Sequence, residues 1–183
     1  MIKLLLSRNK SKGENKQIQE EIFRSTLDYS GESYVFLNVK DESFIKKINN
    51  KLFLLKPDPR KCFLIFNKGY EQKKAPLSSS VVYGNTWQVS VSKNSLIEIY
   101  FPIQLEITEQ PTGYVRLYGD DMYCSTKMLI AQSVILYKSC QLHLLMYTTG
   151  PTFISSSDFI AVLEVPERVN IIINKQKDTE QVL

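Results

Sequence analysis

From Gly84 to Ile173 the chain is a succession of short apolar runs, each of strand length, each set off by polar or turn-forming residues, and with no helical periodicity between them. Trp87-Gln88-Val89-Ser90-Val91 alternates cleanly; Leu96–Phe101 and Ile103–Ile107 alternate with glutamates outward; Tyr114–Tyr118 repeats the pattern. Met128–Ile130, Val134–Tyr137, Gln141–Tyr147 and Phe159–Val165 follow, and Asn170–Ile173 adds one more. Alternation of this kind marks a strand with one face buried, because successive side chains of a strand point to opposite faces. Strands at this spacing, without helices between them, imply a sandwich or barrel and exclude parallel βαβ units.

The residues before this stretch have a different flavour. Residues 10–30 place Ile18, Ile22, Phe23 and Leu27 on one side of a short amphipathic helix that Gly31 would end. Ser33–Val39 follows as a strand, and Phe44–Ile48 as a turn of helix or a loop. Leu52–Leu55 and Cys62–Phe66 are apolar runs separated by Lys56-Pro57-Asp58-Pro59-Arg60, which predicts a rigid turn. At Lys73–Ser80 the composition turns small and polar, as at a boundary. The expected organisation is therefore a basic α+β extension over 1–75, a β-barrel or sandwich over 76–169, and a strand with a polar tail over 170–183.

With 43% hydrophobic and 23% charged residues the chain can bury a core. No apolar run approaches the roughly 20 residues of a spanning helix. The opening Met1–Leu6 is broken at Ser7-Arg8-Asn9-Lys10, short of the roughly 7 to 15 residues of a signal h-region, which points to an intracellular protein and away from membranes. The 3 cysteines, Cys62, Cys124 and Cys140, are odd in number and widely spaced, and there is 1 histidine, so neither a disulfide framework nor a metal site is expected. Charge is unevenly held: residues 1–75 carry 16 Lys and Arg against 9 Asp and Glu, whereas the rest is net acidic. Such asymmetry is produced by a solvated lysine surface, and also by a face that meets nucleic acid.

Residues able to carry chemistry are few. No Gly-Lys-Ser/Thr phosphate loop and no Rossmann glycine spacing occurs. His143 lies between Leu142 and Leu144 in a strand and would need a nucleophile and an orienting group from elsewhere. Asp120 and Asp121 follow Gly119 in what the sequence presents as a loop; paired carboxylates hold Mg²⁺ or share a proton, but they also make ordinary solvated turns. Tyr114, Arg116 and Tyr118 fall on one face of their strand, with Val115 and Leu117 on the other. Outward Tyr-Arg-Tyr suits stacking on single-stranded nucleic acid, a barrel exterior or a protein interface, and interface is the preferred reading.

Taken in order, these segments resemble the trimeric-type dUTPase barrel. That family runs from an Asp-containing first motif through a Pro-x-Gly-Tyr turn, an Arg-Ser-Gly phosphate loop, a Gly-Val-Ile-Asp substrate hairpin and a late strand of the form Gly-Asp-Arg-Ile-Ala-Gln-Leu, and closes its site with a Gly-rich, Arg-containing carboxyl tail. Pro111-Thr112-Gly113-Tyr114-Val115-Arg116-Leu117 resembles the turn and its strand, Ser133-Val134-Ile135-Leu136 the hairpin, and Ser157-Asp158-Phe159-Ile160-Ala161-Val162-Leu163 the late strand.

The departures remove the chemistry. Asp120-Asp121-Met122 stands in place of the phosphate loop, so negative charge replaces donors and would repel a triphosphate. Leu136 occupies the place of the water-activating aspartate, Gly84–Gln88 lacks the aspartate of the first motif, and no glycine follows Gly150 to close the site. A barrel stripped in this way is similar to the dUTPase-related proteins of herpesviruses, and more distantly to the adenoviral early-region protein of that fold. The resemblance implies a catalytically inactive viral protein without cofactor or metal, acting on host proteins in signalling, innate sensing or gene expression. The ending Gln181-Val182-Leu183 lacks the Ser or Thr of the adenoviral relative's PDZ ligand. The contact surface expected is Tyr114, Arg116 and Tyr118 with the loop from Gly119 to Cys124, including Asp120, Asp121 and Tyr123. The rival expectations are a nucleic-acid-binding module using the basic first segment, and a divergent nucleotide pyrophosphatase using Asp120 and Asp121 with Mg²⁺.

Overall fold

A computed structural model describes residues 33–107 and 113–175. In chain order the strands are β1 (Ser33–Val39), β2 (Ile45–Lys47), β3 (Leu52–Leu55), β4 (Asp58–Lys68), β5 (Glu71–Pro76), β6 (Ser79–Tyr83), β7 (Thr86–Val91), β8 (Leu96–Ile107) and β9 (Val115–Gly119). A six-residue helix, α1 (Asp121–Thr126), precedes β10 (Leu129–Ala131), β11 (Val134–Leu136), β12 (Cys140–Thr148), β13 (Thr152–Ser155), β14 (Ala161–Glu164) and β15 (Val169–Lys175). A 3-10 turn at Glu42–Phe44 leads into β2, so Phe44–Ile48 is in large part strand.

The strands form three sheets, none of which closes on itself. The largest has seven strands, with β10-β12-β8-β1-β15 in line and β4 and β5 joined to it through β8; the second runs β11-β9-β14-β3-β2; the third runs β13-β7-β6. The mainly β, predominantly antiparallel architecture expected from the alternation is present, as an assembly of open sheets. One pairing is parallel: β1 lies beside β15, Ser33 opposite Val169 through Val39 opposite Lys175.

The expected boundaries at 75/76 and 169/170 do not separate the sheets. β1 lies between β8 and β15, β4 pairs with β8, and β3 lies between β14 and β2, so residues on both sides of each boundary share hydrogen-bonded ladders. Lys56–Arg60 is not a hairpin turn. It carries the chain from the five-stranded sheet into the seven-stranded one, and Asp58 already belongs to β4. The small polar stretch at Lys73–Ser80 falls within β5 and the start of β6, where edge strands need little apolar character. The helix predicted over 10–30, the residues Pro111 and Thr112, and the C-terminal tail lie outside the described residues.

One apolar core serves all three sheets. Val35, Leu37, Ile97, Ile99, Phe101 and Leu105 from the largest sheet meet Phe53, Leu55, Leu117 and Leu163 from the second, and Val89 and Ile154 enter from the third. Each of the twelve is at most 2% exposed, so roughly 1.5 to 3 kcal/mol of burial free energy attaches to each of the larger side chains.

β8 is one strand, where the sequence reads as two runs, Leu96–Phe101 and Ile103–Ile107, with Pro102 between them. Pro102 offers no N–H, and the ladders on both sides step around it: on β12 Gln141 faces Gln104 and the next pair is His143 with Tyr100. On the other edge β8 changes neighbour, from β4 over Leu96–Tyr100 to β1 over Ile103–Ile107. The Gln141 amide donates to the Phe101 carbonyl at 3.4 Å, and the Lys40 N–H to the Pro102 carbonyl at 3.2 Å. Side chain and neighbouring strand thus occupy carbonyls that a regular ladder would have served.

Candidate functional site

β9 sits second from the edge of its sheet, between β11 and β14. Its alternation sends Val115 and Leu117, both fully buried, into the core and turns Arg116 and Tyr118 outward, continuing from Tyr114, which is 68% exposed. Across the ladders Arg116 faces Ile135 of β11 on one side and Glu164 of β14 on the other, while Tyr118 faces Val162. The outer face therefore brings Tyr114, Arg116 and Tyr118 together as expected, and it adds Ile135, which is 49% exposed.

Arg116 is held but not used up. One terminal nitrogen lies 3.7 Å from a Glu164 carboxylate oxygen, the other donates to the Ser133 hydroxyl at 3.3 Å, and the guanidinium carbon is 5.2 Å from the centre of the Tyr118 ring. Half of the side chain remains open to solvent. Burial, reinforced by the negative charges of Glu164 and Asp121, pushes the Tyr118 phenol above its ordinary value against the opposing pull of Arg116, so it remains a neutral donor at physiological pH.

The remaining candidates have different work. The stretch after Gly119, expected as a loop, is the helix α1. Asp120 is its N-cap, with its carboxylate accepting from the Tyr123 N–H at 3.0 Å, and its own N–H donates to the Ile160 carbonyl at 2.9 Å. Capping by aspartate satisfies a backbone donor that the first turn leaves without a partner. Asp121 stands in that first turn, where negative charge opposes the N-terminal partial positive charge of the helix. Tyr123 is only half-buried, but its hydroxyl donates to Asp158 at 3.3 Å; burial first, and then the Asp158 charge, raise its phenol well above the ordinary range. Gly119 is required by packing: a Cβ there would stand 2.5 Å from the Ala131 Cβ and 2.7 Å from the Cys124 Sγ.

The structure thus divides the six candidates. Tyr114, Arg116 and a half-buried Tyr118 share the outer face, with Asp121 near its end, while Asp120 and Tyr123 fasten α1 to the body of the fold. Ile135 was not singled out in sequence, because Val134-Ile135-Leu136 is an unbroken apolar run that does not say which side chain faces out; only the register of β11 against β9 places it beside Arg116.

Elsewhere, several cations of the basic first segment have partners. Lys51 pairs with Glu167, Arg60 with Asp58 and Lys74 with Glu98, and Lys56 lies 4.7 Å from the centre of the Phe159 ring. These positions are spread over β3, β4, β5 and their connections, and the cations serve the fold locally. His143 donates from Nδ1 to the Gln141 carbonyl at 3.1 Å and leans on Tyr100, with ring centres 5.1 Å apart. Among the described residues no group of three or more His, Cys, Asp or Glu side chains is placed to hold a metal ion, and no helix is long and apolar enough to cross a membrane.

No protein-family model matches the chain, and no curated protein matches it.

Proposed function

We propose that the chain is a non-catalytic, protein-binding module of dUTPase-like descent, of the kind herpesviruses direct at host proteins inside the cell, and that it binds its partner through the outer face of β9. The observation that carries this reading is the outer surface of β9 and its neighbour, where Tyr114, Arg116 and Ile135 are exposed beside a half-buried Tyr118. Tyrosine and arginine beside an exposed aliphatic residue is the composition of a binding patch, in which aromatic area and a multi-donor cation supply most of the affinity. Descent is supported by the adjacency of β11, β9 and β14, since these three strands contain the segments whose order resembles the dUTPase barrel. The absence of chemistry is supported by the occupation of Asp120: a carboxylate committed to a helix cap stands where a phosphate loop would need donors.

The test is capture of partners from host-cell extract, followed by affinity measurement on the purified complex. The variant is Tyr114→Ala with Arg116→Glu, which alters the face and spares the Asp120 cap. Binding is expected to fall at least tenfold with the denaturation midpoint unchanged. Undiminished binding would reject the β9 face, and Mg²⁺-dependent release of pyrophosphate from a nucleoside triphosphate would reject the non-catalytic reading.

A further inference from the structure

We propose that the cleft where β8 exchanges β4 for β1 is a binding site for a phosphate monoester carried on a small polar molecule. The cleft arises from the same irregularity that accommodates Pro102. The end of β1, the start of β4 and the Gln141 step in β12 converge on one short stretch of β8 and leave a hollow of about 570 Å³, within the roughly 300 to 1,000 Å³ of small-ligand sites. Pro102 and Ile103 line it, and Lys40, Asp58, Arg60, Lys61, Gln104 and Gln141 supply its polar groups.

The sign of the cleft follows from its pairing. Asp58 is 9% exposed and its carboxylate is gripped by a fork from Arg60, Nε to Oδ1 at 3.0 Å and Nη2 to Oδ2 at 3.2 Å, so the two charges cancel locally. The guanidinium is also placed against Trp87, 5.4 Å from the ring centre, which fixes its plane before any ligand arrives. Lys40 and Lys61 make no ion pair among the described residues, and they leave the cleft with about two uncompensated positive charges, by the side-chain charges at neutral pH. A dianion neutralises that surplus, and a monocarboxylate would leave half of it. Gln141 has one N–H turned to the Phe101 carbonyl, and its amide oxygen together with the exposed Gln104 amide offers both donor and acceptor capacity for hydroxyl groups. An anion alone would leave those amides unused, hence a phosphate attached to a hydroxylated body. The cleft belongs to the seven-stranded sheet and does not depend on the role proposed for β9.

The proposal is tested by titrating isotope-labelled full-length protein with inorganic phosphate, ribose 5-phosphate and ribose while following backbone and side-chain amide resonances. Ribose 5-phosphate is expected to give saturable shifts at Lys40, Lys61, Gln104 and Gln141 with at least tenfold higher affinity than inorganic phosphate, and ribose to give none. Lys40→Gln with Lys61→Gln should weaken binding at least tenfold while the remaining spectrum is preserved. Lys46→Gln with Lys47→Gln, which removes the same charge from β2, should leave it intact. Absence of saturable shifts, shifts centred elsewhere, equal affinity for inorganic phosphate, or equal loss in the β2 variant would each overturn it.

Discussion

β8 and β9 obey the same alternation and end with opposite outer faces. β8 buries Ile97, Ile99, Phe101, Ile103 and Leu105 on one side, and much of its other side is covered as well. Glu98 is 7% exposed beneath Lys74, whose ammonium donates to it at 2.6 Å, and Tyr100 is flanked by Phe63 and His143. β9 buries its inward residues, leaves Arg116 and the preceding Tyr114 to solvent, and half-covers Tyr118. The difference lies in the neighbours. β8 is surrounded by long strands that bring side chains across it, whereas β9 is bordered by β11, three residues long, and β14, four residues long. A strand satisfied by its own sheet has little to offer a partner, except at the place where its ladders open. A strand beside a short edge keeps its aromatic face available.

The contrast should be widest in stability. Phe101→Ala removes a fully buried ring from the core and is expected to cost about 3 to 5 kcal/mol by chemical denaturation. Tyr114→Ala should stay within about 0.5 kcal/mol of the wild type, because the side chain is exposed. A cost above 2 kcal/mol for Tyr114→Ala would mean that the face of β9 is structural.

Between these extremes stand the fasteners of α1. Asp120→Ala should lose about 1 kcal/mol through the missing cap, and Tyr123→Phe about 1 kcal/mol through the missing hydrogen bond to Asp158. Asp121→Asn, which touches no cap, should lose less than either. If Asp120→Ala proved neutral, Asp120 would return to the list of contact residues.

Acid titration probes the covered face of β8. Burial alone would raise the Glu98 carboxyl, but hydrogen bonds from Lys74 and Tyr100 outweigh it and hold the group below the usual glutamate value. A carboxyl depressed in the folded state stabilises above its unfolded value, and that contribution is lost as pH falls through the folded value. Glu98→Gln should therefore flatten the acid limb of a stability profile measured by denaturation at successive pH values. An unchanged limb would show that the pair contributes nothing.

The smallest expected effect is on thiol chemistry. Burial pushes the Cys62 thiol up to about 12 and, with help from Asp120 and Asp121, the Cys124 thiol up to about 11, so neither should react in the native state. Cys140 is half-buried, and a native thiol-labelling time course should modify it first.

Much of this was legible in the chain because alternation is a local signal. It located β7, β8 and β9 and placed Tyr114, Arg116 and Tyr118 on one face, while β12 and β14 showed as apolar runs of strand length. The parallel pairing of β1 with β15 was not legible, since more than a hundred residues separate the partners and no local pattern encodes it. The continuity of β8 across Pro102 was not legible either: loss of an N–H normally interrupts a central strand, and here a register step on β12 and a change of neighbour from β4 to β1 remove the need for that donor. The helix α1 carried its signal in plain sight, an aspartate at the cap and another in the first turn, but six residues are too few to show a period. The cleft at β8 could not be anticipated, because Lys40, Arg60, Gln104 and Gln141 meet only through the topology.

The claim that the β9 face binds a protein partner is tested most directly by measuring partner affinity for the wild type and for Arg116→Glu, each with its denaturation curve. The account predicts at least a tenfold loss of affinity at unchanged stability. Equal affinity, or a loss that merely tracks unfolding, would contradict it.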